Sequence, residues 1–103
     1  MEDIMDIYYL KEHMCEELDG AKDYLMQSAK LKSAKPEWSK TFYEMANTEV
    51  EHSKALYKMF NEHFKEINTN MDLAQYMDPF KESADMEYME KMGTIKYMME
   101  TYK

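Results

Sequence analysis

Apolar residues recur at helical spacing along almost the whole chain. Ile4, Ile7, Met14, Leu18, Ala21 and Leu25 follow one another at steps of three, four and seven, the pattern of an amphipathic helix with a near-heptad stripe. The spacing predicts a first helix over residues 2–32, some 45 Å long at about 1.5 Å per residue. Gly20 falls inside it, where glycine costs about 1 kcal/mol against alanine, so a close approach by another group is expected there. Ser33-Ala34-Lys35-Pro36 interrupts the pattern. Pro36 followed by Glu37 suits a helix start, because proline lacks only a donor that would be unpaired there and the acid faces the positive end of the dipole. A second helix is expected over 37–67, ending at Asn68-Thr69-Asn70, and the short link makes the two an antiparallel hairpin. A short helical piece over 71–77 follows. Asp78 then reads as an N-cap, with Pro79 opening a last helix over 79–101, whose stripe is Tyr88, Met92, Ile95, Met99 and Tyr102. Val50 is the only valine, and so few strand formers leave no material for a sheet. The fold class is all-α, with residues 1–103 forming one domain.

The second helix carries the most informative departure from pure packing. Its seam reads Trp38, Phe42, Met45, Glu49, His52, Leu56, Met59, His63, so an acid and an imidazole stand where packing alone would place leucine. A buried carboxylate without a partner costs several kcal/mol. The spacing from Glu49 to His52 puts both side chains on one helical face, about 5–6 Å apart at Cβ. A carboxylate and a neutral imidazole so placed can reach one metal ion, and sites rich in carboxylate suit iron or manganese. On the first helix Glu17 borders the apolar stripe, and Tyr24 lies two turns further along the same face. His13 is near Glu17 and has a lesser claim as an accessory metal contact. His63 reads as a capping or partly exposed residue, and Cys15 as a small buried hydrophobe with no base beside it.

No second Glu-x-x-His stands at a core position elsewhere in the chain. One hairpin therefore offers Glu17, Glu49 and His52, and a two-fold dimer offers twice that. Its four carboxylates match the charge of two divalent cations. The expected assembly is a four-helix bundle completed by dimerisation, C₂ being the commonest symmetry, with a metal pair shared by the two copies.

Composition narrows the alternatives. The chain has 103 residues and a formal net charge of −8. All 13 basic residues are lysine. Acidic excess without arginine argues against a nucleic-acid surface, which needs phosphate neutralisation and bidentate base reading. One cysteine cannot form an internal disulfide, which points to a reducing, cytoplasmic setting. No apolar run approaches the roughly 20 residues of a membrane span, and Glu2, Asp3 and Asp6 are unlike a signal peptide. The 13 methionines read as adaptable core filler, against a Cu(I) reading of Met86, Met89 and Met92.

Glu16-Glu17-Leu18 with Tyr24, then Pro36-Glu37, then Glu49-Val50-Glu51-His52, resembles the encapsulated ferritins of the ferritin-like, rubrerythrin-like superfamily over about residues 10–66. The resemblance implies a ferritin-like four-helix bundle built from two hairpins, with a di-iron ferroxidase site shared between chains. It implies Glu17, Glu49 and His52 as ligands, Tyr24 as the tyrosine that supports them, and Glu16 and Asp19 as acidic positions where iron enters. It further implies iron handling, rings of dimers and an encapsulin shell as partner, although the end of this chain, from Ile95 to Lys103, carries no recognisable targeting tail. Two further readings stay open: a rubrerythrin-like or manganese-containing protein that detoxifies peroxide, and a helical interaction protein without enzymatic activity.

Overall fold

A computed structural model describes residues 2–67 and 71–102, with side chains over 5–67 and 75–102. Its three helices are α1 (Glu2–Leu31), α2 (Pro36–Ile67) and α3 (Met71–Thr101). The first two match the predicted bounds to within a residue. The predicted stop at 68–70 and the side chain of Ile4 lie outside the described residues.

α1 and α2 form the antiparallel hairpin. Two buried serines lock the closed end: Ser28 Oγ donates to the Ser39 carbonyl at 2.8 Å, and Ser39 Oγ donates to the Ser28 carbonyl at 2.6 Å. Mid-hairpin, the fully buried Ser53 donates to the carbonyl of Met14 at 2.8 Å. Each hydroxyl is small enough to let the two backbones approach and has its hydrogen bond made, so burial leaves nothing unpaired.

α3 runs parallel to α1 and antiparallel to α2. Lys11 meets Glu87 at 2.7 Å and Asp19 meets Lys91 at 2.6 Å along α1. Along α2, Tyr57 stacks on Tyr88 with ring centroids 3.9 Å apart and donates to Asp85 Oδ1 at 2.8 Å. Phe60 is fully buried among Tyr57, Phe64 and Phe80, and Tyr8 meets Phe80 edge-on at 4.6 Å. These contacts correct the predicted break before Pro79, since α3 continues through that proline as one helix. Proline there removes one intrahelical bond, but Met77 and Ala84 are buried on either side of it and Phe80 packs on the core, so tertiary packing keeps the helix continuous.

The seam on α2 is also corrected. The chain's own core uses Ala46, Val50, Ser53, Phe60, Phe64 and Ile67. That row is displaced by one residue, about 100° around the helix, from the predicted seam. Trp38 and Met59 are 58% and 51% exposed. The reason is that α3 packs against the opposite side of the hairpin, through Tyr8, Lys11 and Asp19 of α1 and Tyr57 of α2. Among the described residues, the face with Phe42, Met45, Glu49, His52 and Met59 therefore has no covering element. The methionine reading divides in the same way, with Met14, Met77, Met92 and Met98 filling the core and Met45, Met59, Met86 and Met89 exposed.

The molecule measures 57 × 20 × 14 Å between Cα atoms, with a radius of gyration of 16.4 Å. A compact domain of this length has a radius near 13 Å. The chain is a slab of long helices with one broad side open.

Candidate metal centre

The open side carries the cluster predicted from spacing. Glu17 from α1 and Glu49 and His52 from α2 can each offer one ligand atom within 4.8 Å of the others. The antiparallel register makes this possible: the same pairing that sets Ser53 on Met14 brings His52 opposite Glu17, with Nδ1 3.7 Å from Oε2. Glu17 Oε2 is buried with no hydrogen-bond partner. A carboxylate oxygen held out of water without a donor is costly and is what a cation would relieve. Glu49 is partly buried, and His52 keeps 57% of its side chain exposed, so the ligand atoms look outward from the slab.

The two carboxylates strain against one another. The Glu49 carboxyl is held above its ordinary range, first by a hydrogen bond shared with Glu17, then by burial and by the charge of Glu17. The imidazoles of His52 and His13 oppose the shift. A neighbouring acid opposes ionisation of Glu49, and a divalent cation would relieve that repulsion. The donor set of two carboxylates and one imidazole suits iron or manganese, so these residues fit a metal of that kind.

Gly20 explains itself at this point. A Cβ built there would lie 3.4 Å from Glu49 Oε2, so the close approach expected from the sequence is that of the Glu49 carboxylate. That distance is a tight but ordinary contact. Gly20→Ala is therefore expected to keep the fold and gain about 0.5–1 kcal/mol of helix stability. It also takes away the space in which Glu49 can shift. A chemical melt checks the gain, and metal titration checks the lost freedom.

The neighbouring candidates separate. His13 stacks on Tyr9 at 5.2 Å, with Nδ1 3.5 Å from Glu16 Oε2 and Nε2 4.0 Å from Glu17 Oε1. Glu17 thus stands between two imidazoles, an arrangement that the i, i+4 spacing of His13 and Glu17 could have signalled. Asp19 turns the other way and pairs with Lys91 of α3. Tyr24 packs on the hairpin core, its ring 6.0 Å from that of Phe42. His63 lies further along the open side, Nδ1 3.4 Å from Glu66 Oε2 and Nε2 4.0 Å from Asp6 Oδ2. Cys15 is buried, and burial holds its thiol above the ordinary range, in keeping with a structural role. No helix among the described residues is long and apolar enough to cross a membrane.

Residues 9–102 match the family model described as Rubrerythrin. No curated protein and no solved structure gives a match.

Proposed function

The chain belongs to the Rubrerythrin family, within the ferritin-like superfamily, and from that premise we propose that it is a half-ferritin ferroxidase, oxidising Fe(II) to Fe(III) at a site closed by two copies of itself. The observation that carries this reading is the buried, unpartnered oxygen of Glu17, grouped with Glu49 and His52 on a broad side that the described residues leave uncovered. Each copy brings three donors, and the pair brings four carboxylates and two imidazoles. Two Fe(II) ions balance the four negative charges. When bound, they supply two electrons to an oxidant such as dioxygen or peroxide, and each becomes Fe(III).

The residues have distinct tasks in this reading. Glu17 and Glu49, from different helices, would supply the carboxylate ligands, while His52 would add an imidazole donor from the exposed edge. Protons compete with the metal at the Glu49 carboxyl, which is held above its ordinary range, so affinity falls as pH falls. In this reading Tyr24, two turns from Glu17, would steady a ligand carboxylate through its hydroxyl. Glu16 begins the acidic approach, and the net charge of −8 draws cations toward it in a salt-dependent way. Exposed Trp38, Met45 and Met59 become the apolar surface that the second copy covers. In this reading the chain works in the cytoplasm, in dimers or rings of dimers, with an encapsulin shell as a further partner. Peroxide as the physiological oxidant is the second reading, favoured by the family match itself.

The test is anaerobic titration of the metal-free protein with Fe(II), followed by oxygen or peroxide, with assembly mass measured at each stage. The expected result is about one iron per chain, an oxidation-linked absorbance change, and a metal-bound species no smaller than a dimer. A metal-loaded monomer would contradict the shared site, and absence of binding would contradict the whole reading. Faster oxidation by peroxide than by dioxygen would favour the second reading.

A further inference from the structure

We propose that His13 and Glu17 form a second position for a divalent transition-metal ion in each chain, beside the Glu17–Glu49–His52 group and separate from it. Tyr9, His13 and Glu17 follow one another at four-residue steps along α1, so their side chains lie one above the next on a single helical face. His13 Nε2 lies 4.0 Å from Glu17 Oε1, whereas His52 Nδ1 lies 3.7 Å from Glu17 Oε2. The two oxygens of one carboxylate are thus turned to different imidazoles. The three donors grouped within 4.8 Å of one another do not include His13, which makes the Oε1 edge of Glu17 a distinct place.

The surroundings of His13 are those of a ligand. Its ring stacks on Tyr9, with centroids 5.2 Å apart and 18° between the planes, which restrains the ring and keeps Nε2 toward Glu17. Its other nitrogen, Nδ1, faces Glu16 Oε2 at 3.5 Å. A metal-bound imidazole typically turns its second nitrogen, as N–H, to a carboxylate. Here a proton on Nδ1 points to Glu16 and leaves the Nε2 lone pair to face Glu17. Glu17 is held in turn, its side chain only 18% exposed. Glu16 and Glu17 together carry the two negative charges that balance a divalent cation. An imidazole nitrogen beside a carboxylate oxygen suits Fe(II), Co(II) or Zn(II). With bonds of about 2.0–2.2 Å, two donors on one ion lie about 3 Å apart, so the pair closes by about 1 Å, a small turn for a half-exposed histidine. The position has fewer donors than the shared centre, so it fills only once that centre is full and metal is in excess. It draws on α1 alone, and it stands or falls separately from the ferroxidase reading.

The experiment is titration of the full-length metal-free protein with Co(II), which stays divalent in air and whose visible absorbance responds to imidazole nitrogen. Two steps are expected, the weaker at excess metal. His13→Gln is expected to keep the first step and to weaken the second at least about tenfold. Electrostatics alone would give the opposite sign, because taking a group that can carry positive charge out of an acidic cluster does not weaken cation binding. The metal-free melt of the variant is expected to match that of wild type. In wild type labelled with nitrogen-15 in its histidines, excess Zn(II) is expected to shift the His13 Nε2 resonance much further than Nδ1. A second step unchanged in His13→Gln, or a His13 Nε2 resonance unmoved by excess Zn(II), would overturn the proposal. A single step wholly dependent on His13 would support it and contradict the shared centre instead.

Discussion

Replacing Glu49 with glutamine is expected to do two opposite things at once: abolish metal uptake and raise the stability of the metal-free protein. The first follows from the loss of one of the three donors grouped among the described residues. Removing even a supporting residue of a metal site typically lowers affinity by about 10–100-fold, and a direct donor should lower it by at least about a hundredfold. The second follows from the raised carboxyl of Glu49. A carboxylic acid held above its unfolded value by the fold favours the folded state while it keeps its proton. It withdraws that favour as pH rises through its folded value. At neutral pH the pair of acids is therefore a burden on the metal-free fold, and an uncharged amide that can donate to Glu17 removes it. Calorimetric melts of wild type and variant, with and without Fe(II), read both effects. Wild type should gain stability on adding metal, whereas the variant should start higher and not move. A variant less stable than wild type without metal would contradict the account of the Glu17–Glu49 pair.

Phe60→Ala is expected to be the most damaging single change in the chain. Phe60 is fully buried and joins three rings, Tyr57, Phe64 and Phe80, so it ties α3 to the hairpin. Truncating a buried phenylalanine costs about 3–5 kcal/mol, against a total stability of about 5–15 kcal/mol for a small domain. The denaturation midpoint in urea should fall by more than about 1 M. Met59→Ala, one residue away and 51% exposed, makes the internal control. At concentrations too low for association it should change stability by no more than about 0.5 kcal/mol, while weakening the proposed metal-sharing dimer. Equal effects of the two substitutions would contradict the placement of the core row on α2.

Adjacent residues 59 and 60 also show where the sequence was informative. A helix with apolar residues at Trp38, Phe42, Met45, Leu56 and Met59, and others at Ala46, Val50, Phe60, Phe64 and Ile67, has two apolar rows. Periodicity identifies rows but not partners. Read alone, the first row looked like the interior because it was continuous and held the two misplaced polar residues. In the folded chain the second row is the interior, because α3 lies on that side.

Residue order alone was enough to settle α1, α2 and the hairpin they form, the family-like placing of Glu17, Glu49 and His52, and the special status of Gly20. Each depends on spacing along one helix or on a short connection, and such local geometry is written in residue order. The docked fold was needed to settle the register that brings Glu17 within 3.7 Å of His52, the continuity of α3 through Pro79, the turning of Asp19 toward Lys91, and which side of the hairpin is left open. These depend on the docking of elements distant in the chain, where the gain from burying Phe60, Phe80 and Tyr88 together outweighs what any one helix prefers alone.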